Sequence, residues 1–249
     1  MISTINRYSQ SFAKFVTATD EKNVIANFLI ANTPIRSGTR VLDIGAGMGE
    51  IAFMLRQAGA KVTAVEPNPL FIKALQAKNI RVLEKPWEEA VISGHYDVIL
   101  ACHVMSHFQK GNFTLAVQKM LDAMKPEGQL WIVTVDQSSG SWRAVHEWFY
   151  QRNAVQRAKT SDQVRQWKFP GETETFTLVT QVKTDTVEEM EALLQFDFLD
   201  YPEAFKKSKS ELHSKLMSYV TSGDVALEVV HQIIRVKKKN SLFQPQGAL

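Results

Sequence analysis

Val41-Leu42-Asp43-Ile44-Gly45-Ala46-Gly47-Met48-Gly49-Glu50 is the stretch that decides the fold. A short apolar run leads into three glycines spaced G-x-G-x-G, after which Ile51, Met54, Leu55 and Ala58 recur at helical spacing. A buried strand that turns tightly into a helix uses glycine both for the turn and for close approach of its backbone to a ligand. In open α/β sheets that ligand lies at the carboxyl end of the first strand. The spacing departs from the G-x-G-x-x-G fingerprint of dinucleotide sites. Asp43, two residues before the first glycine, puts negative charge where a diphosphate would lie and suits a cationic group instead. No G-x-x-x-x-G-K-[ST] loop occurs, so hydrolysis of a nucleoside triphosphate has no support. Further along, Glu66 stands at the end of a second strand, where an acid accepts the hydroxyls of a ribose; this points to an adenosine ligand without saying which.

Outward from that loop the βα period repeats. Residues 41–44, 61–65, 80–83, 97–101 and 130–135 read as buried parallel strands, with helical spacing in between. Gly59, Asn79 and the run Lys125-Pro126-Glu127-Gly128 supply helix stops. The expected fold is α/β: a doubly wound, mostly parallel seven-stranded sheet with an antiparallel edge strand. The chain divides as one domain over 1–249. It has an N-terminal helical cover at 1–37, a cofactor-binding core at 38–136 and a helical cap inserted after the fifth strand at 137–172. C-terminal strands and helices follow at 173–240, with a tail at 241–249. The cap is rich in aromatics, and a connection that long inside a compact domain serves more often as a lid or binding segment than as a structureless loop. Residues 174–182 and 225–236 read as its following strands, and 187–196 and 208–220 as helices.

The 249 residues carry 29 Lys+Arg against 26 Asp+Glu, a formal net charge of +3, too nearly neutral for the electrostatic footprint of a nucleic-acid binder. A content of 45% hydrophobic and 22% charged residues fits a globular chain and excludes long disorder. No apolar run approaches the ~18–20 residues of a membrane span, and the first residues lack a signal layout, so the expected location is cytoplasmic. The single cysteine, Cys102, supplies neither a disulfide framework nor a thiolate metal site.

With these residues in hand, the chain resembles the class I S-adenosylmethionine-dependent methyltransferases over about residues 38–136. VLDIGAGMG is similar to that family's first motif, AVEPN to its second-strand acid, YDVILACHVMSHF to its fourth-strand region and KPEGQLWIV to its fifth-strand lead-in. The resemblance implies S-adenosyl-L-methionine as cofactor and S-adenosyl-L-homocysteine as product. Asp43, Gly45, Ala46, Gly47 and Gly49 would hold the methionine part, Glu66 with Pro67 and Asn68 the ribose, and Cys102 would line the cofactor side as an inert thiol. One position departs from the pattern: Pro86 stands where many relatives place an acid on the adenine, which leaves Pro86, Trp87 and Glu88 as the adenine contacts.

Transfer of a methyl group from a sulfonium asks mainly for alignment and exclusion of water, with a base useful for some acceptors. His103 and His107, just after the fourth strand, are the candidate catalytic residues. Their i, i+4 spacing in H-V-M-S-H lacks the glutamate of H-E-x-x-H and a third ligand, so no metal site is expected. Tyr8, Phe12, His103, Trp142, His146 and Phe149 are the candidate acceptor pocket, since aromatics suit flat or cationic molecules. The expected acceptor is a small molecule, with neither DNA nor membrane as partner and a monomer or homodimer as the assembly. The lysines at 206, 207, 209 and 237–239 motivate the alternative of an RNA or protein acceptor, and Pro86 that of a regulatory module that binds the cofactor without transfer.

Overall fold

The computed structural model describes residues 11–108, 112–155 and 169–238. The helical segment α1 (residues 11–18) and α2 (Glu21–Asn32) precede the first strand. Then β1 (Arg40–Ile44), α3 (Glu50–Gln57), β2 (Lys61–Val65), α4 (Pro69–Ala77), β3 (Arg81–Leu83), β4 (Tyr96–Cys102), α5 (Phe113–Asp122) and β5 (Met124–Val135) follow in the expected alternation. Next come α6 (Ser141–Asn153), β6 (Glu172–Thr184), α7 (Val187–Asp197), α8 (Pro202–Met217), the two-residue β7 (Val220–Thr221) and β8 (Asp224–Lys237).

The strands form one sheet in the order β3-β2-β1-β4-β5-β8-β6, with β7 paired to β8. The first five are parallel. The antiparallel strand β8 lies at the far side of the sheet, one place in from the rim, where it pairs with β5 on one flank and with β6 on the other. The sequence expectation stopped β6 and β8 short by one or two residues at either end. It also treated Lys125-Pro126-Glu127-Gly128 as a loop after a helix. In the structure those four residues lie within the span of β5, in an irregularity of pairing between Tyr96↔Met124 and Val98↔Gln129.

Alternation along the central strands splits the core in two. Leu42, Ile99, Leu130 and Ile132 face α5, whose Val117, Met120 and Leu121 meet them. Val41, Leu100, Trp131 and Val133 face α2 and α3, where Ile25, Leu29, Ile51 and Leu55 cover them. A third cluster joins α6, α7 and α8 to β8 through Phe149, Leu194, Phe198 and Leu212. Asp43 shares its face of β1 with Val41 and therefore lies toward α2. Strand order reverses direction at β1, with β2 on one side and β4 on the other, and that switch point is where open sheets of this kind leave a crevice.

Candidate active site

The crevice is a cavity of about 980 Å3 above the carboxyl ends of β1, β2 and β4. Its first wall is the glycine loop. Gly45 Nα–H and Ala46 Nα–H donate to the Val65 carbonyl at 2.8 and 3.4 Å, which ties the loop across to the end of β2. Gly45 sits at φ +67°, and a Cβ there would lie 2.5 Å from Val104 Cγ2, so only glycine lets the loop close against the segment after β4. Gly49 belongs to a different job. It is absent from the cavity wall, caps α3 at φ +84°, and would press a Cβ to 2.4 Å from the buried Leu75 of α4, so its expected place in the cofactor site gives way to one in packing the start of α3 against α4.

Two carboxylates face this wall. Glu66 accepts from the backbone N–H of Gly47 and of Asn68, each at 2.9 Å, so one side chain fixes the glycine loop and the start of α4 together. Burial raises its pKa even against those two bonds. Asp43 is 3% exposed. Burial pushes its carboxyl up to about 7, helped by the negative charges of Glu66 and Glu50 and opposed by Lys22.

The opposite wall comes from distant parts of the chain. After β4, His103 takes a left-handed backbone at φ +55°, unusual for a residue with a side chain, while its N–H donates to the Val133 carbonyl at 2.9 Å. Its ring faces α2, where Glu21 and Lys22 join Phe12, the residue expected from the N-terminal segment, in lining the cavity. Glu21 Oε1 is 2.5 Å from Lys22 Nζ and 3.5 Å from His103 Nε2. Burial would raise the Glu21 pKa, but Lys22 and His103 outweigh it and hold the carboxyl well below its ordinary range. Burial likewise opposes charge on His103, yet Cys102 and Glu21 carry its pKa up to about 10. Behind both lies His231 of β8, 0% exposed, with Nε2 2.7 Å from Thr180 Oγ1 and 3.9 Å from Glu21 Oε2. Burial, with His103 nearby, pushes its pKa down to about 4.

Of the expected site residues, Asp43, Gly45, Ala46, Gly47, Glu66, Pro67, Asn68, Cys102, His103, His107, Phe12, Trp142 and His146 line the cavity. Tyr8 lies outside the described residues. Pro86, Trp87 and Glu88 are not in the wall. The Trp87 ring is turned into the core, donating from Nε1 to the Ala116 carbonyl at 3.1 Å with Lys119 Nζ above its face. Phe149 is fully buried and stacked on Phe198 at 3.8 Å between ring centres. Helical geometry explains that correction, because Trp142, His146 and Tyr150 share one face of α6 and reach the cavity, whereas Phe149 faces α7 and α8. His146 bridges this face to α7, with Nε2 2.9 Å from Asp197 Oδ2 and Nδ1 2.8 Å from the Trp142 carbonyl. Sequence reasoning missed Glu21, Lys22, Asp197 and His231, and it placed Tyr150 in the aromatic cap without singling it out. The signal that existed was an Asp20-Glu21-Lys22 cluster of charge at the start of an apolar-periodic helix, which reads equally well as a solvated helix end.

Comparison with known proteins agrees with this geometry. Residues 16–168 match the family model described as a methyltransferase domain. A Mycobacterium tuberculosis protein of uncharacterized function is 35% identical over 80 residues, covering 29% of each chain. The ubiquinone biosynthesis O-methyltransferase of Erwinia tasmaniensis is 28% identical over 113 residues, covering 42% of this chain and 46% of that one. The chain thus spans less than half the length of these curated relatives. The crystal structure of coclaurine N-methyltransferase bound to N-methylheliamine and S-adenosylhomocysteine superposes with a TM-score of 0.53 at 16% identity, over 85% of this chain and 72% of that one. A sheet in the order found here, a glycine loop closing on a buried acid and a match over more than half of the sequence lead to one statement: the chain belongs to the methyltransferase domain family.

Proposed function

We propose that this protein transfers the methyl group of S-adenosyl-L-methionine in line to a small-molecule acceptor bound between the glycine loop and α6. The observation that carries the reading is Asp43, a buried acid with a raised pKa in the cavity wall beside the Gly45–Gly47 loop, whose Gly45 and Gly47 take positive φ. The residues fit the cofactor. Asp43 would face its positive charge, Glu66 its ribose, and the backbone of Gly45–Gly47 its amino-acid end. When bound, S-adenosyl-L-methionine supplies an activated methyl carbon on a sulfonium whose departure leaves a neutral thioether.

The work left to the chain is to orient the acceptor and to keep water out. Phe12, Phe15, Trp142 and Tyr150 give the cavity an apolar and aromatic lining, and its volume lies at the upper end of the ~300–1,000 Å3 of small-molecule sites. His103 and His107 lie on the acceptor side. Held by Glu21, His103 keeps its proton at neutral pH and serves as a hydrogen-bond donor, which leaves His107 as the residue placed to take a proton from the acceptor. Lys237 and Lys238 favour no polymer acceptor at this cavity, and Lys239 lies outside the described residues. Register places Lys237 opposite Gln129, at the far end of the sheet from His231 opposite Val135, and Lys238 Nζ is engaged by the Met124 carbonyl at 2.7 Å.

Calorimetry with S-adenosylmethionine, S-adenosylhomocysteine and NADH tests the cofactor, and isotope-labelled methyl donor in fractionated cell extract tests the acceptor. Micromolar binding of the first two ligands alone, with label entering the small-molecule fraction, is expected. Absence of binding by folded protein, or label confined to RNA or protein, would overturn the reading.

A further inference from the structure

Glu21 from α2, His103 from the loop after β4 and His231 from β8 each offer a ligand atom, and those atoms lie within 4.8 Å of one another. Among the described residues this is the cluster of three such groups that forms, and it pairs His103 with residues far away in sequence rather than with His107. Two features separate it from an ordinary buried ion pair. His103 Nε2 and His231 Nδ1 are buried without a hydrogen-bond partner, in an interior where such nitrogens are normally satisfied. The rings are also held in place, His231 by the Thr180 hydroxyl and His103 by its left-handed backbone.

We propose that Glu21, His103 and His231 form a binding site for a divalent metal ion of the zinc, cobalt or iron(II) kind at the floor of the cavity. Two imidazoles and one carboxylate select such borderline ions, whereas magnesium and calcium take oxygen ligands. Bonds of ~2.0–2.2 Å require the three groups to draw together by about an ångström from their present spacing. Glu21 and His103 face the cavity while His231 lies behind them, so the remaining coordination positions open toward the acceptor. On the methyl-transfer reading, on which this role rests, the ion would bind and orient an acceptor oxygen.

Lys22 and the His103 proton are the built-in competitors, because the Lys22 ammonium already touches Glu21 Oε1 and the ion must displace the proton that His103 otherwise keeps. The wall nonetheless favours more positive charge. Glu21, Asp43, Glu50, Glu66, Asp197 and Asp200 line it against Lys22, Arg143 and the protonated His103. Glu21 Oε2, 3.9 Å from His231 Nε2, is the carboxylate oxygen that Lys22 leaves open, and His231 Nδ1 is the ring nitrogen that Thr180 leaves open.

The test uses the full chain without cofactor, titrated with Co2+ while its visible ligand-field absorption is recorded, and metal content is measured after loading with Zn2+. One ion per chain is expected, with affinity reduced by more than ~100-fold in His103→Gln and in His231→Gln and unchanged in His107→Gln. Lys22→Met should bind Co2+ more tightly. Should the fully buried His231→Gln fail to fold, His103→Gln and Lys22→Met still decide the matter. Equal affinity in wild type and His103→Gln, weaker binding by Lys22→Met, or no binding by folded wild type at millimolar Co2+ would overturn the site. Binding of S-adenosylmethionine is measured separately on the metal-free protein. Loss of metal binding with cofactor binding intact therefore sinks the metal site alone, and the converse sinks the methyl-transfer reading alone.

Discussion

The two walls of the cavity are built by opposite strategies. The glycine-loop wall is local: Asp43, Gly45–Gly47 and Glu66–Asn68 come from two consecutive βα turns, and backbone hydrogen bonds from Gly45 and Ala46 to Val65 lock those turns together. The facing wall is assembled from α1, α2, the loop after β4, α6 and α7, and with His231 behind it draws on residues more than two hundred positions apart. A wall whose geometry follows from backbone connectivity tolerates almost no change in its glycines and acids. A wall made by packing helices against a sheet edge can change its side chains while the fold stays the same. On the proposed reading, that division would put a shared cofactor on the first wall and a particular acceptor on the second.

The largest effect that sharpens this comparison should come from a residue belonging to neither wall. Phe149 is fully buried and stacked on Phe198, so Phe149→Ala should cost about 3–5 kcal/mol of stability through lost contact and a residual cavity. Denaturant unfolding measures that loss, while calorimetry on the folded variant should show cofactor affinity unchanged. A variant of normal stability with impaired ligand binding would put Phe149 back on the cavity and break the assignment of the α6 faces.

That example also shows where sequence reading stops. The positions of the strands, the glycine loop and both acids were legible because each depends on neighbours within a few residues: a strand, a turn that needs positive φ, an acid at a strand end. Phe149 and His146 stand three residues apart on one helix, and nothing local says which face α7 and α8 will cover. Trp87 was misplaced for the same reason, its indole N–H being claimed by Ala116 of a helix that follows the next strand. His231 could not be found at all from a strand that reads as a generic apolar run, since its role depends on β8 entering between β5 and β6 and carrying it beside α2.

A smaller effect tests the local wall. Glu66→Ala removes a carboxylate that holds Gly47 and Asn68 and, on the proposed reading, the ribose hydroxyls. Loss of charge-assisted hydrogen bonds of about 1.5–3 kcal/mol corresponds to ~10- to 150-fold weaker binding of S-adenosylmethionine, with the fold retained. Glu66→Gln, which keeps one acceptor oxygen, should fall in between. Unchanged affinity in Glu66→Ala, measured on protein whose unfolding transition is intact, would mean that the ribose lies elsewhere and that the wall is a structural turn.

The smallest predicted effect per step is the most diagnostic of charge. Burial holds the Asp43 carboxyl at about 7 even against the charge of Lys22, well above its value in an unfolded chain. Between those two values the folded protein binds more protons than the unfolded one. Asp43 therefore lends stability at low pH, and that contribution fades as pH rises through 7. A positively charged ligand beside the carboxylate favours its ionised form, so binding below pH 7 must expel a proton from Asp43. Affinity for S-adenosylmethionine should accordingly fall by up to about tenfold for each pH unit below 7 and level off above it. Calorimetry from pH 5.5 to 8.5 in buffers of different ionisation enthalpy reads both the affinity and the released proton. Asp43→Asn, which cannot titrate, should bind more weakly at pH 8 and lose this part of the pH dependence. A wild-type profile that stays flat through pH 7 would show that Asp43 meets no positive charge in the complex, and the cation half of the comparison would fail while Glu66 and the glycine loop kept their roles.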